Sequence, residues 1–257
     1  MARMRFGTFN LLHGLSVRTG AVDEADLRAA AAALDADVVG LQEVDRAQPR
    51  SRKTDQAAVV ADELGSPWWR FAPTLRGTPL KWTHADPMDD SFGSAYGIAL
   101  VSRLRVLHWD ARRFPAAPVR LPLSVVGRRG LTRVPDQPRA ALAAVVVGPD
   151  GPFTVATAHL SFVPGWNARQ LRAVARWLGT MPPPRLLAGD LNLPGRVPAA
   201  LTSWIDLARA PTYPSWRPRV QWDHILASGV GPDDVRASTA MRLPVSDHCA
   251  LVVDVEA

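Results

Sequence analysis

Apolar positions alternate with polar ones from Met4 through Phe6 to Phe9, a period of two that predicts a strand over residues 4–9 ending at Asn10. The period then lengthens. Residues 23–34 carry an acidic first turn and an alanine-rich body, which predicts a helix beginning near Asp23. A short apolar run at 38–41 reads as a buried strand that leads into Gln42 and Glu43, and Asp55 is placed to cap a second helix over 56–64, stopped by Gly65. Strands are predicted at 68–71 and 96–103, separated by a polar, glycine-containing loop over 77–94. Two longer apolar strands, 140–147 and 153–158, flank the turn sequence Gly-Pro-Asp-Gly-Pro. Leu171, Val174, Ala175 and Leu178 fall on one face of a helix over 167–178. An apolar strand then enters Gly189-Asp190, a short helix is expected over 197–204, and the last strand spans 250–255. Residues 109–139 show no clear period and hold many arginines among prolines, so they read as a basic loop or loose hairpin. No composition shift or repeat divides the chain, and a single domain is expected.

Composition narrows the class. With 257 residues and 47% hydrophobic content the chain can bury a substantial core, so disorder is not the default. No apolar run reaches the roughly 20 residues of a membrane-spanning helix. Asn10 and His13 interrupt the apolar N-terminus, which argues against a signal peptide. Cys249 is the only cysteine, so no intrachain disulfide is expected and a cytoplasmic location follows; a monomer is expected, with the oligomeric state left open by the sequence. The net charge of +6 comes almost wholly from arginine, since Lys53 and Lys81 are the only lysines. Such charge is compatible with a polyanionic partner and equally with an arginine-rich composition.

Candidate chemistry gathers at the predicted strand ends. If the backbone stays extended through Leu191, Asp190 and Asn192 share a face, where a carboxylate can position a water and a carboxamide can donate to an oxyanion. The same pair would also suit an ordinary turn. Asn10, Gln42-Glu43, His159, Asp223-His224 and Ser246-Asp247-His248 stand at comparable places along the chain. Taken in this order, these segments resemble the signature segments of the endonuclease/exonuclease/phosphatase family, the deoxyribonuclease-I-like metal-dependent phosphoesterases. The resemblance extends over essentially the whole sequence.

That resemblance implies an α/β (α+β) fold, a four-layer sandwich of two packed β-sheets flanked by helices. The alternation of short strands with a few amphipathic helices agrees, because sheets packed face to face need their outer faces covered. It also implies Mg²⁺, with Mn²⁺ expected to substitute, held by Glu43 with Asn10 and Asp247. A ligand set rich in oxygen suits such a hard cation. Asp190 is then expected to orient or deprotonate the attacking water, with Asn192 donating to the developing oxyanion. His248, oriented and charged by Asp223, and His159 are expected at the phosphoryl group and the leaving oxygen. Tyr96 and Arg139 are expected to contact substrate, whereas His13 and His224 take supporting roles and Asp206 a structural one. Histidine at position 159, where apurinic endonucleases typically carry tyrosine, argues against abasic-site repair. The substrate class stays open between a nucleic acid, which the arginines favour, and a phosphorylated small molecule or sphingomyelin-like lipid. A non-catalytic nucleic-acid binder is disfavoured because every expected catalytic residue type is present.

Overall fold

The computed structural model describes residues 3–79, 81–124 and 130–256. In chain order the elements are β1 (Arg3–Asn10), α1 (Glu24–Leu34), β2 (Val38–Arg46), α2 (Gln56–Glu63), β3 (Trp68–Thr78), β4 (Lys81–His84), β5 (Ala95–Ser102) and β6 (Val106–Phe114). They continue with β7 (Arg120–Ser124), β8 (Leu131–Pro135), β9 (Arg139–Gly148), β10 (Gly151–His159), α3 (Trp166–Leu178), β11 (Arg185–Asp190), α4 (Val197–Thr202), β12 (Ile205–Asp206), β13 (Asp223–Ser228), β14 (Val235–Met241) and β15 (Ala250–Glu256). The helix ends follow from local chemistry. Asp23 accepts a 2.8 Å bond from the Ala25 amide, and Asp55 accepts one of 3.2 Å from Ala58, so each satisfies a donor that a first turn leaves open.

Two sheets carry the fold. The larger has the order β14-β15-β1-β2-β5-β3-β4 and the smaller β12-β13-β11-β10-β9-β6. Phe6, Leu100, Leu142, Val155, Ile225 and Leu251 pack between them. The outer face of the larger sheet is covered by Leu27, Leu34 and Val60 of α1 and α2. The outer face of the smaller is covered by Leu171, Val174 and Leu178 of α3. Each of these fully buried side chains contributes about 1.5 to 3 kcal/mol. The result is the four-layer α+β sandwich.

Each sheet has one parallel pair near its middle, and those pairs set the position of the site. β1 and β2 run parallel, with Asn10 level with Gln42. In the other sheet β10 and β11 run parallel, with His159 level with Asp190. Parallel neighbours finish at the same edge, so side chains from both strand ends meet there. The antiparallel β13 starts at that edge, with Asp223 level with Asp190. β15 starts just beyond Asp247 and His248, beside the end of β1. A close approach of the sheets brings the edges together, since a Cβ at Gly40 would fall 2.5 Å from the Thr157 hydroxyl of the other sheet; within the smaller sheet a Cβ at Gly189 would fall 2.1 Å from the Ala158 carbonyl oxygen of neighbouring β10.

The structure corrects several expectations. Residues 106–114, the last six of them inside the stretch read as a basic loop, form the edge strand β6, paired with β9. His108, Arg112 and Arg113 are exposed along it, on both faces, which hides the strand period, and such charge on an edge strand discourages further pairing. The hairpin reading holds for β7 and β8, which pair only with each other. Arg128 and Arg129 lie outside the described residues. Residues 77–94, expected to be a loop, contain β4. β14 leaves no mark in the sequence pattern because four of its seven positions are solvent-exposed and show no apolar alternation.

Candidate active site

The end of β1 delivers Asn10, and a left-handed turn follows at Leu12 and His13. Asn10 is buried, and its amide nitrogen lies 3.0 Å from Asp190 Oδ2 and 3.3 Å from Glu43 Oε1. Its own Oδ1 accepts the Leu12 amide at 3.0 Å, which fixes which end of the carboxamide faces the carboxylates. Glu43 reaches this point through an irregularity in β2. The pairing with β5 shifts register between Leu41 and Val44, and Glu43 adopts φ +53°. Such a bulge turns a side chain out of the regular pleat. Beneath it Gln42 joins the sheets, accepting from Thr8 at 3.2 Å and donating to Thr157 at 2.9 Å.

β10 and β11 deliver His159 and Asp190, with Nε2 of His159 3.6 Å from Asp190 Oδ2. Burial, then the neighbouring charges of Arg139 and His248, hold the His159 pKa well below its usual value, so this imidazole is neutral. Nη1 of Arg139 stands 3.0 Å from Nε2 of the same ring. Asp136 anchors that guanidinium at 3.3 Å while accepting from the Ala117 amide at 2.7 Å and the Ser161 hydroxyl at 2.8 Å. Arg139 is therefore not a residue of a solvated basic loop. It begins β9 and is only 6% exposed, against the site's inner wall.

Asp223 and His248 complete the group. Nδ1 of His248 lies 2.8 Å from Asp223 Oδ2, and its Nε2 lies 3.9 Å from Asp190 Oδ2. Burial opposes a charge on His248, but Asp223, Asp190 and Asp247 outweigh it and lift the pKa to about 10. Burial raises Asp190 to about 7, with Asp223 adding to the effect and His248 opposing it. Asp247 is raised to about 6, chiefly by burial and also by the carboxylate of Glu43.

Asn192 departs from the expectation. β11 ends at Asp190, and Asn192 takes φ +50°, so the two side chains do not share an extended face. The Asn192 amide nitrogen donates to the Leu160 carbonyl at 3.0 Å, and its backbone N–H donates to Asp190 Oδ1 at 3.1 Å. One carboxamide hydrogen thus ties down the loop after β10, and the other is available to a ligand. Tyr96 is half-buried, and Glu43 acts with burial to raise its pKa well above the usual value. His224 is fully buried and bonded through Nε2 to the Leu193 carbonyl at 2.8 Å. Burial of His13 pushes its pKa down to about 3, and burial lowers that of His224 as well, so neither histidine carries charge at the site.

Three further residues belong to the site although the sequence assigned none of them a role. The Tyr213 ring lies 5.0 Å from that of His248, tilted by 52°. Its only signal in the sequence is its place in the loop that precedes Asp223. Ser246 donates to the Asn10 carbonyl at 2.6 Å and accepts the His248 amide at 3.0 Å, which joins two motifs 236 residues apart. Asp136 gives no sequence signal, because its partners come from three separate segments.

The chain also matches the sequence pattern of the Endonuclease/Exonuclease/phosphatase family over residues 7–248. It belongs to that family. An endonuclease/exonuclease/phosphatase from Beutenbergia cavernae is similar at 24% identity and TM-score 0.65, over 100% of this chain and 72% of that one. D. rerio TDP2, solved with a single-strand DNA product, is similar at 15% identity and TM-score 0.62, over 100% of both chains. Sphingomyelinase C from Streptomyces griseocarneus gives 14% and 0.61, again over 100% of both. At these identities the likeness concerns the fold, which is deoxyribonuclease-I-like in all of them. A comparison with curated proteins found no match. Family membership makes the chain a phosphoesterase-type protein. Among the described residues no helix is long and apolar enough to cross a membrane.

The residues present fit a divalent cation. Glu43 and Asp247 repel each other, so a cation placed between their carboxylates would replace repulsion by coordination, whereas Asn10 presents its amide nitrogen to Glu43 and is no ligand in this arrangement. Asp190, Asp223 and His248 also bring ligand atoms within 4.8 Å of one another. In that second group Nδ1 of His248 is already engaged with Asp223 at 2.8 Å.

Proposed function

We propose that this protein is a divalent-metal-dependent phosphodiesterase that hydrolyses a P–O bond by in-line attack of water, with nucleic acid as the substrate class. The observation that carries the reading is the convergence of Asp190, His159 and the Asp223–His248 pair on one edge, beside Glu43, Asp247 and Asn10. Mg²⁺ is the ion we assign, with Mn²⁺ as a substitute and Glu43 and Asp247 as its holders, while the Asn10 amide nitrogen, turned to Glu43 and Asp190, orients those carboxylates instead of ligating the ion as expected. When bound, such an ion neutralises charge on non-bridging phosphate oxygens and on the leaving oxygen.

The chain's own groups divide the remaining work by protonation state. Asp190, raised towards neutrality by burial, is suited to accept a proton from water near neutral pH. His248, kept as imidazolium by Asp223, presents Nε2 as a donor to a phosphoryl oxygen. Neutral His159 can accept or relay a proton, and Arg139 holds its ring in place. The second amide hydrogen of Asn192 supports the developing oxyanion, and Tyr96 and Arg139 border the substrate. The test is a panel of single- and double-stranded DNA, RNA, sphingomyelin, inositol phosphates and a generic phosphodiester, assayed with Mg²⁺ and with EDTA. Metal-dependent cleavage of a nucleic acid or generic diester is expected. Turnover confined to sphingomyelin or to phosphomonoesters would replace this reading.

A further inference from the structure

A cleft of about 520 Å³ adjoins the catalytic edge through Ser246, and none of the catalytic groups lines it. Its inner wall is Ser215 and Ser246, and the same two residues brace the catalytic loop. The Ser215 amide donates to the Asp247 carbonyl at 2.6 Å, and the Ser215 hydroxyl donates to the Ser246 carbonyl at 3.1 Å. A molecule reacting beside Asp247 and His248 can therefore extend into this cleft without leaving the surface.

The lining has a definite chemistry. Trp216 is 52% exposed at the cleft, and Arg18 and Arg242 border it. Some arginines elsewhere are matched to acids, such as Arg50 with Asp45, Arg70 with Asp90 and Arg76 with Asp89. Among the described residues Arg18 and Arg242 make no such pair, and no acidic residue lines the cleft. Two guanidiniums without counter-charges beside a solvent-facing indole fit an aromatic ring that carries an anion. They do not fit a cationic head group such as choline, which two arginines would repel.

We propose that this cleft is a nucleotide subsite: a base of a single-stranded nucleic acid stacks on Trp216, and a phosphate flanking the scissile one is held between Arg18 and Arg242. The assignment rests on the phosphodiesterase reading and specifies its substrate. Stacking on an exposed aromatic suits an unpaired base, whose faces are free, and so favours single strands over duplex.

Binding separates this proposal from catalysis. Fluorescence anisotropy of a labelled single-stranded DNA decamer in EDTA would be measured for the wild type, Trp216→Ala, Trp216→Phe and the double variant Arg18→Ala/Arg242→Ala. The substituted side chains border open solvent in the cleft, so folding should survive, and thermal melting checks it. The double variant should weaken binding about tenfold or more and flatten the salt dependence by roughly 0.7 in logarithmic slope for each phosphate no longer neutralised. Trp216→Ala should weaken it by about fivefold to a hundredfold, and Trp216→Phe should restore most of the loss. With Mg²⁺ present, the ratio of kcat/KM on the decamer to that on bis(p-nitrophenyl) phosphate should fall in parallel. Affinities within twofold of wild type for all three variants would overturn the subsite. So would a loss confined to phosphatidylcholine/phosphatidylglycerol vesicles, which would make the cleft a lipid-binding surface. If the wild type cleaves neither substrate yet decamer binding still depends on these side chains, the phosphodiesterase reading fails and the subsite stands.

Discussion

Nδ1 of His248 donates a 2.8 Å hydrogen bond to Asp223 Oδ2, and both side chains are buried. The pair behaves as one unit, since the carboxylate supplies the charge that keeps the imidazolium protonated. Asp223→Asn and His248→Ala should each lower kcat by about 10² to 10⁴, the usual worth of a positioned acid/base group. The double variant should be scarcely slower than His248→Ala alone. Losses that multiply would mean the two residues act separately. Thermal melting of each variant distinguishes a catalytic defect from a folding one.

Asp190 should separate chemistry from binding. Asp190→Asn is nearly isosteric and keeps through its carbonyl oxygen one of the two bonds that Asp190 accepts, from Asn10 at Oδ2 or from the Asn192 amide at Oδ1. Turnover should drop by at least ~10² while KM changes little, because the lost group acts on the nucleophile. An unchanged kcat would remove Asp190 from the proton path.

Glu43 governs the ion. Glu43→Gln should raise the Mg²⁺ concentration for half-activity about tenfold or more, the equivalent of ~1.4 kcal/mol. The wild type should also melt at a higher temperature with Mg²⁺ than with EDTA, since an ion bound only by the folded state stabilises it. Full turnover in EDTA would refute metal dependence.

Arg139 makes a structural and an electrostatic prediction together. Its guanidinium is paired with buried Asp136 and helps keep His159 neutral. Arg139→Met leaves that carboxylate without its cation and should destabilise the protein by about 3 kcal/mol or more, the cost of breaking a buried pair. The same change should raise the His159 pKa, which an NMR titration of the ring would follow. A His159 pKa that does not move would assign its depression to burial alone.

Asp254 sets the acid limb of stability. Hydrogen bonds from Arg5, at 2.8 and 3.1 Å, and from Arg3 hold its pKa down at about 2, against roughly 3.9 in an unfolded chain. A depressed folded-state value means the contribution is complete above about pH 4 and is lost as pH falls towards 2. Asp254→Asn should therefore melt below wild type at neutral pH, and the difference should close as pH falls through that window. A gap that stays constant down to pH 2 would show that the ion pair adds nothing.

Local chemistry was legible in the chain. Caps at Asp23 and Asp55 and the long apolar strands around 140–158 follow from nearest-neighbour rules, which need no tertiary information. The residue types of the site stood at strand ends in readable order, and the alternation that buries Phe6 and Val155 between two sheets was there as well. What the sequence could not show depended on meetings between distant segments. β6 and β14 are edge strands, each with one side in water and no apolar alternation to mark it. Arg139 resembles one more solvated arginine until Asp136 and His159 close around it. Glu43 reaches Asn10 because β2 bulges against β5, and Asn192 turns away from an extended path because Leu160 takes its amide. Sequence by itself determined which groups were available and where the apolar strands that carry Asn10 and His159 would end. The tertiary structure decided their distances, charges and protonation, because those depend on burial and on neighbours that meet only when the two parallel pairs finish at the same edge.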